Sequence, residues 1–412
     1  MKSENIDNLT AITLLLSTMM GTGITFMPYA FNSVGYITSW LILSWVSFCT
    51  FVSLLCISYV VKNTADANNT LTYTSIGKRV SKYVHYCVNI SIFFNCFFSN
   101  ISFYRFLTDI IVEAFPFFKW QYFRKLVAFM LFPLLLYFCL KKEIVNLKKQ
   151  SWISTASVSF LALLIVFYSY AFGSQIYNSN PQPYNYDFKY GIPFFMPTMV
   201  CQPSMVKIVQ QLRNKTWKNI IFLSAMTSLG GLFIYGIVGH CGYKVFGSKI
   251  NSHIVKEFYT HNSLINVYMR NYTIDRFNLI SKLAIYSMMF VLGSGFPLQM
   301  VPVTDMFMQF IFKDCKNTRN RTFVTVILCT VCLGFVLIEN LRIKLIKRVN
   351  GALFSTSVSL IYPFLYYISM RKGRGITCII PNMIYWVTCL IIIYILSTIV
   401  RDLWNNDPQL FN

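Results

Sequence analysis

Apolar residues run along this chain in stretches of about 20, the length at which an α-helix crosses the hydrocarbon core of a bilayer, and short polar connectors separate the stretches. Eleven are expected, near residues 8–33, 36–61, 81–113, 122–140, 151–173, 191–212, 218–247, 276–312, 321–339, 349–370 and 376–400. The first two are parted only by the turn at Ser33 to Gly35, so they form an antiparallel hairpin. Polar segments at 62–80 and 174–190 leave the membrane, and Lys141 to Lys149 reads as a basic connector that fixes topology. The pattern predicts an all-α polytopic membrane protein.

Two stretches depart from regular helix. In the first, residues 11–35, Gly21 and Gly23 flank Thr22 and lower helix propensity, and Pro28 removes a further ladder donor. In lipid an unpaired backbone group costs several kcal/mol, so an unwound stretch persists only where protein, water or a ligand completes it. Taken alone this stretch is equally consistent with a Gly/Pro kink that merely eases packing. The sixth span, residues 191–213, carries Pro193, Pro197 and Pro203, which no regular helix survives. Two Gly/Pro-interrupted spans in corresponding positions predict a secondary transporter built as an inverted repeat, with substrate at mid-membrane between the breaks.

Composition agrees. With 55% hydrophobic and only 12% charged residues, the chain is no ordinary soluble domain. Its net charge of +22 would suggest nucleic acid in a soluble protein, but the basic residues lie mostly in short loops, where they meet lipid headgroups. No basic, aromatic-interleaved soluble region exists to bind nucleic acid. Twelve cysteines scattered through apolar segments read as small buried hydrophobes. Cys329 and Cys332 form a C-x-x-C inside an apolar helix without further ligands, so no metal is expected. The first apolar run is too long for a cleavable signal and itself directs insertion.

The motifs resemble those of the amino acid/auxin permease family within the amino acid-polyamine-organocation superfamily. Ser17 to Ile24 with Pro28, Tyr29, Ala30, Phe31, Val34 and Gly35 resembles that family's first-helix signature. Cys201, Gln202 and Pro203 followed by Gln211 and Leu212 resembles its sixth, Gly239 to Gly247 the end of its seventh, and Val349 to Leu353 with Tyr362 to Tyr367 its tenth. The resemblance covers essentially the whole chain. It implies eleven helices in a leucine-transporter-type fold, N-terminus cytoplasmic: residues 1–173 as helices 1–5, 174–375 as an inverted repeat of helices 6–10, and 376–412 as helix 11 and tail. The basic residues favour that orientation only slightly, because Arg342, Lys344, Lys347 and Arg348 fall on the opposite side.

The expected substrate site takes an amino acid's carboxylate on the N–H groups of Gly21, Thr22, Gly23 and Ile24, with Thr18 and Met20 beside them. The amine meets carbonyls around Thr198, Cys201 and Gln202, and Met20, Phe194, Phe195 and Met199 shape the apolar pocket. Relatives commonly carry aromatics at the positions of Pro197 and Met199. Coupling is to protons or sodium, without other cofactor. Sodium-coupled members carry asparagine where this chain has Ser17, a poorer cation ligand; Ser17, Met20 and Ser294 are the ion-site candidates. Thr304 and Gln211 stand where many members have arginine and glutamate, so if those two pair or share a network in relatives, that contact is lost here on both sides.

The remaining charges are less specific. Arg105 and Asp109 share a helical face and can pair within the bundle, as structural ion pair or proton relay. Lys207 can snorkel to headgroups, and Asp305 suits a gate pair or a surface carboxylate. His85 and His240 lie near span ends, and Asn271 heads an N-x-T sequon in a loop assigned to the outer side. No polar stripe supports a channel, and no nucleophile or His/Asp/Glu cluster supports an enzyme. The expectation is an amino acid symporter, acting as a monomer by alternating access in a plasma membrane or a vacuolar or lysosomal-type membrane. A sensor of the same fold is the alternative, and the short N-terminal tail leaves such a sensor little room for a signalling partner.

Overall fold

In a computed structural model of the chain the residues described are 6–64, 71–114, 122–140, 147–172, 181–247, 275–311, 318–338, 343–371 and 376–405. They form a helical bundle, with α1 (Asn8–Met19), α2 (Met27–Val34), α3 (Tyr36–Thr64), α4 (Tyr73–Val80), α5 (Lys82–Ala114), α6 (Phe123–Leu140), α7 (Leu147–Phe172) and α8 (Phe188–Phe195) in the first half. There follow α9 (Gln202–Gln211), α10 (Trp217–Phe246), α11 (Asp275–Ile311), α12 (Thr318–Leu337), α13 (Ile343–Val349), α14 (Tyr362–Met370) and α15 (Ile379–Trp404). Among the described residues nine rods are long and apolar enough to cross a bilayer, and the bent pair α1 with α2 makes a tenth. The apolar part of α7, Thr155–Tyr170, falls short of that length, so the expected eleven stands at nine or ten by this measure.

Lipid explains which faces are apolar. Leu126, Phe129, Met130, Leu134 and Tyr137 repeat at helical spacing on the exposed side of α6, as do Met383, Trp386, Leu390, Ile393 and Val400 on α15. Such stripes would mark association surfaces in water; here they are what hydrocarbon requires. Many hydroxyls inside the bundle are satisfied by their own helix. Ser58 Oγ, Thr108 Oγ1, Thr227 Oγ1 and Thr388 Oγ1 each donate to the carbonyl four residues back, at 2.7 to 2.9 Å, the bond such side chains make in a helix interior.

The α2–α3 hairpin turns at Gly35, whose φ of +83° is left-handed and whose Cβ would lie 2.6 Å from the Pro183 carbonyl oxygen. Only glycine suits that position. Residues 182–185 stitch the turn in place, with Tyr36 N–H donating to Gln182 O at 3.2 Å and Asn185 N–H to Val34 O at 2.9 Å. Between α13 and α14 the span winds as π-helix over Asn350–Ser355 and Ser357–Ile361. Gly351 sits there with no room for a side chain, since a Cβ would collide with the Pro193 carbonyl oxygen of α8. Local π-winding recurs at functional segments, and this one packs directly on the interrupted span.

Arg105 pairs with Asp109 at 3.6 Å, as their spacing predicts. Its shorter contacts go elsewhere: Nη1 donates to the carbonyls of Val336 at 2.7 Å and Ile338 at 3.0 Å, which caps the end of α12. Asp109 also pairs with Arg124 of α6. The group ties α5, α6 and α12 together.

Candidate functional site

The first break is built from residues that hold a helix poorly. The ladder stops with the Met20 N–H on Leu16 O at 2.9 Å. Met20 (φ −75°, ψ 94°) and Gly21 (φ −127°, ψ −150°) are extended, and a 3-10 turn, Thr22–Phe26, restarts the helix. The two halves meet at 55°. In an i→i+3 turn the Ile24 N–H reaches the Gly21 carbonyl, but the N–H groups of Thr22 and Gly23 have no partner in the turn, and Gly21 at its cap has no side chain to offer them. Ser17, Gly21 and Gly23 are partly exposed and Thr18 is exposed, so this end of the break borders open space. Ser17 Oγ donates to Leu14 O at 2.9 Å and Thr18 Oγ1 to Leu15 O at 2.8 Å.

Neither glycine is there because packing forbids a side chain. A Cβ on Gly21 would meet the Phe103 ring at 3.6 Å and one on Gly23 the Tyr235 hydroxyl at 3.8 Å, both ordinary contacts. Their φ angles are not left-handed. What the pair supplies is low helix propensity where the turn leaves N–H groups unused by its own ladder.

The sixth-span break is finished differently. A 3-10 turn, Met196–Met199, follows α8; Val200 and Cys201 are non-helical; and Pro203 stands in the first turn of α9, where its missing N–H costs nothing. Gln202 closes the gap from within. Its Oε1 accepts the Cys201 N–H at 2.9 Å, and its Nε2 donates to Ser53 Oγ at 3.0 Å and Met199 O at 3.4 Å. Gln202, Thr198 and Cys201 are buried, and Thr198 Oγ1 donates to Phe195 O at 2.7 Å. The structure therefore gives Gln202 a bracing position that sequence alone did not reveal.

The breaks face each other across α10. Gly231 lies between Met19 and Met199, whose side chains its Cβ would meet at 3.4 and 3.5 Å. Tyr235, buried on the same helix one turn on, donates its hydroxyl to Met19 O at 2.6 Å and holds its oxygen against the Gly21 N–H. Phe103 of α5 fills the far side, between Gly21 and Gly295. Toward the end where α2 stops, Phe26 stacks on Phe194 at 5.3 Å and touches Phe106 at 5.6 Å. These rings form an aromatic lid over the first break. Phe194 packs between Phe26 and Tyr29. Phe195 packs instead on Phe31, 5.9 Å away, on the scaffold side. At the opposite end Ile6 N–H donates to Gln211 O at 2.9 Å and Arg213 N–H to Ile6 O at 3.2 Å, fastening the tail before α1 to the end of α9.

Known proteins share both the sequence pattern and the architecture. The family described as transmembrane amino acid transporter protein matches residues 4–401. The chain belongs to this family. Vacuolar amino acid transporters 5 and 6 of Saccharomyces cerevisiae are 21% and 22% identical to it over 266 and 257 residues, 58% of this chain in each case. It covers 57% and 56% of those proteins, little more than half their length. Crystal structures of two mutants of the Eremococcus coleocola manganese transporter superpose with TM-scores of 0.64 and 0.65 over 97% of this chain and 87% of theirs. At 12% and 11% identity that likeness is one of fold, the leucine-transporter type. The protein is a multi-pass membrane protein of a transporter family.

The other candidates of this family member lie on several helices of the bundle. Thr304 is buried and faces Thr325 at 3.4 Å, while Gln211 serves through its main-chain oxygen. Asp305 pairs with Arg321 at 2.7 Å. Lys207 is exposed on α9, as snorkelling requires. His85 staples α4 to α5, its Nδ1 at 2.9 Å from Thr74 O and its Nε2 at 3.2 Å from Asn89 Nδ2. His240 lies edge-on to Tyr36 at 5.7 Å. Ser294 belongs to α11 and Thr22 to the first break, but their side chains lie outside the described residues, as does Asn271 altogether.

Proposed function

We propose that this protein is a secondary active transporter that moves amino acids by alternating access between the two interrupted spans. The substrate carboxylate docks on the N–H groups of Thr22 and Gly23, which the 3-10 turn does not use itself, and the amine takes carbonyl oxygens facing it across the gap. The observation that carries the reading is the first break: a 3-10 turn with no side-chain cap and N–H groups it does not use itself, at two glycines where packing does not forbid a side chain, in the middle of a span. Its setting agrees, since the fastened tail at Ile6 closes one end and the Phe26–Phe194 lid the other, and transport requires each to open in turn.

Around that core stand expectations of the same reading. Eleven helices form two inverted repeats of five, 1–173 and 174–375, with the N-terminus cytoplasmic. Protons or sodium supply the energy, with Ser17, Met20 and Ser294 as the ion ligands. The vacuolar relatives favour a vacuole-type membrane.

The test is uptake of radiolabelled amino acids into proteoliposomes holding the full-length protein, under imposed proton and sodium gradients. At least one amino acid accumulates under one gradient. Gly21→Leu, which drives a branched chain into the space beside Phe103, abolishes that uptake while the purified protein remains monodisperse. Near-normal uptake by the variant would remove the first break from the site. Binding without flux under either gradient would make the protein a sensor.

A further inference from the structure

The end of the molecule where Ile6 is fastened carries a second strap. Residues 71–80, which hold α4 between α3 and α5, reach the same last turn of α9. The Leu71 N–H donates to Gln210 Oε1 at 3.2 Å, and Gln210 Nε2 donates to Leu71 O at 2.8 Å, so one amide clasps both backbone groups of a residue. Tyr73 Oη donates to Val358 O at 2.6 Å and Tyr366 Oη to Tyr73 O at 3.2 Å, which ties the strap to the span of α14 as well. For this end to open, the strap has to let go of α9.

His85 is where α5 holds the strap. Its Nδ1 lies 2.9 Å from Thr74 O and its Nε2 3.2 Å from Asn89 Nδ2. A carbonyl oxygen only accepts, so Nδ1 carries a hydrogen in every state of the ring and Nε2 is the nitrogen that gains or loses a proton. Asn89 is 4% exposed, and its Oδ1 is buried with no hydrogen-bond partner among the described residues. The amide therefore has one end for each state of the ring. Nδ2 donates to a neutral Nε2; turned about χ2, Oδ1 accepts from a protonated one. That turn trades one amide bond for another, and the gain is that both bonds of the ring become charge-assisted, roughly twice as strong as neutral ones.

Neighbouring groups leave this role to Asn89. No described residue of α4, of α5 up to Asn100 or of α14 is a carboxylate. Lys78 and Arg79 end α4, and Lys82 and Tyr86 flank His85 on α5, the Tyr86 ring 6.0 Å away. Tyr366 of α14 stands on the other side of Gly77, its hydroxyl 3.1 Å from where a Cβ would be. Asp305 of α11 is two residues from Phe307, whose ring meets Phe93 two turns further along α5, and Arg321 takes it at 2.7 Å.

We propose that His85 and Asn89 form a proton-responsive joint of the gate at the Ile6 end. A proton on Nε2 turns the Asn89 amide, strengthens the hold of the ring on Thr74 and keeps residues 71–80 clasped to α9. Loss of the proton slackens the strap and lets this end open. The inference rests on the alternating-access reading above and gives that cycle a group through which protons act.

The test is hydrogen exchange of the purified full-length protein at pH 5 and pH 8, read by mass spectrometry in peptides covering 71–80 and corrected for the intrinsic pH dependence of exchange. Protection of the strap is about fivefold greater at pH 5, the equilibrium worth of one hydrogen bond. His85→Gln removes the difference. Asn89→Leu keeps the volume and the bond of the neutral ring to Thr74, and it removes the difference too, because a buried Nε2–H then has no acceptor; it decides the matter should His85→Gln not fold. Counterflow of a radiolabelled amino acid in proteoliposomes with equal pH on both faces slows about fivefold from pH 8 to pH 5 in the wild type alone. Equal or reversed protection in the wild type, a difference that persists in either variant, or counterflow unchanged by pH overturns the proposal. Absence of all flux would remove the transport reading instead, and the protection of the strap would still decide this one.

Discussion

The two interrupted spans solve the same problem in opposite ways. Both expose main-chain groups in a medium where each bare group costs several kcal/mol. In the sixth span the exposed groups are completed internally, because Gln202 takes the Cys201 N–H and returns its own N–H groups to Ser53 and Met199. In the first span Gly21 has no side chain to cap the 3-10 turn, Ser17 and Thr18 each turn a hydroxyl proton back on their own helix, and the turn itself makes no use of the N–H groups of Thr22 and Gly23. One break is braced by a side chain of its own, and the other, bare in that sense, is not. The difference teaches that an interrupted helix is not in itself a ligand site; what matters is whether the sequence supplies a side chain to finish it.

The largest expected effect comes from removing the brace. Gln202→Leu keeps the volume but leaves the buried Cys201 N–H without an acceptor, which costs about 1–3 kcal/mol. The break then repacks, and a displacement of about 1 Å at a binding site lowers rate on the order of 100-fold. The melting midpoint should fall and proteoliposome uptake should nearly vanish. If instead Gln202→Leu melts normally and only its affinity for substrate drops, Gln202 is a ligand contact and the contrast between the breaks is lost.

A smaller effect is expected at Tyr235, which trims the bare break without covering it. Tyr235→Phe keeps the ring between Gly23 and the core but frees Met19 O and the Gly21 N–H, a loss of about 1 kcal/mol for one hydrogen bond. That is a factor of about five in the population of the ordered break, read as a several-fold rise in the KM for uptake with little change in melting. Unchanged kinetics would show that Met19 O and Gly21 are ordered by packing alone.

Much of this contrast is legible in the sequence. The period of apolar runs marks the spans, and Gly21, Gly23, Pro193, Pro197 and Pro203 mark both interruptions, because those residues act through the backbone of their own helix. What the sequence did not disclose depends on contacts between distant segments. Gln202 reads as part of a family motif, and only the approach of Ser53 shows that its amide is consumed. Tyr235 is one tyrosine among 26, singled out only by its hydroxyl on Met19 O. Phe195 follows Phe194 in the chain, yet the turn of the helix sends it to Phe31. Arg348 runs against the expected charge bias, a legible anomaly whose partner, Asp402, comes from the far end of the chain.

The smallest expected effect is the most discriminating for the first break. Gly21→Ala adds one methyl group at ordinary contact distance from Phe103, on a backbone whose φ is already negative. A scaffold glycine would not tolerate this: at Gly351 the same methyl would collide with the Pro193 carbonyl oxygen. At position 21, replacing glycine where the backbone is compatible stabilises by about 0.4–1 kcal/mol through the unfolded chain, so melting should hold or rise slightly. If a carboxylate reaches the N–H groups of Thr22 and Gly23, the methyl narrows its approach and the KM for uptake should rise several-fold. A rise in KM without loss of stability places the ligand at the bare break. A fall in melting would mean that Gly21 is there for packing after all, as Gly351 is.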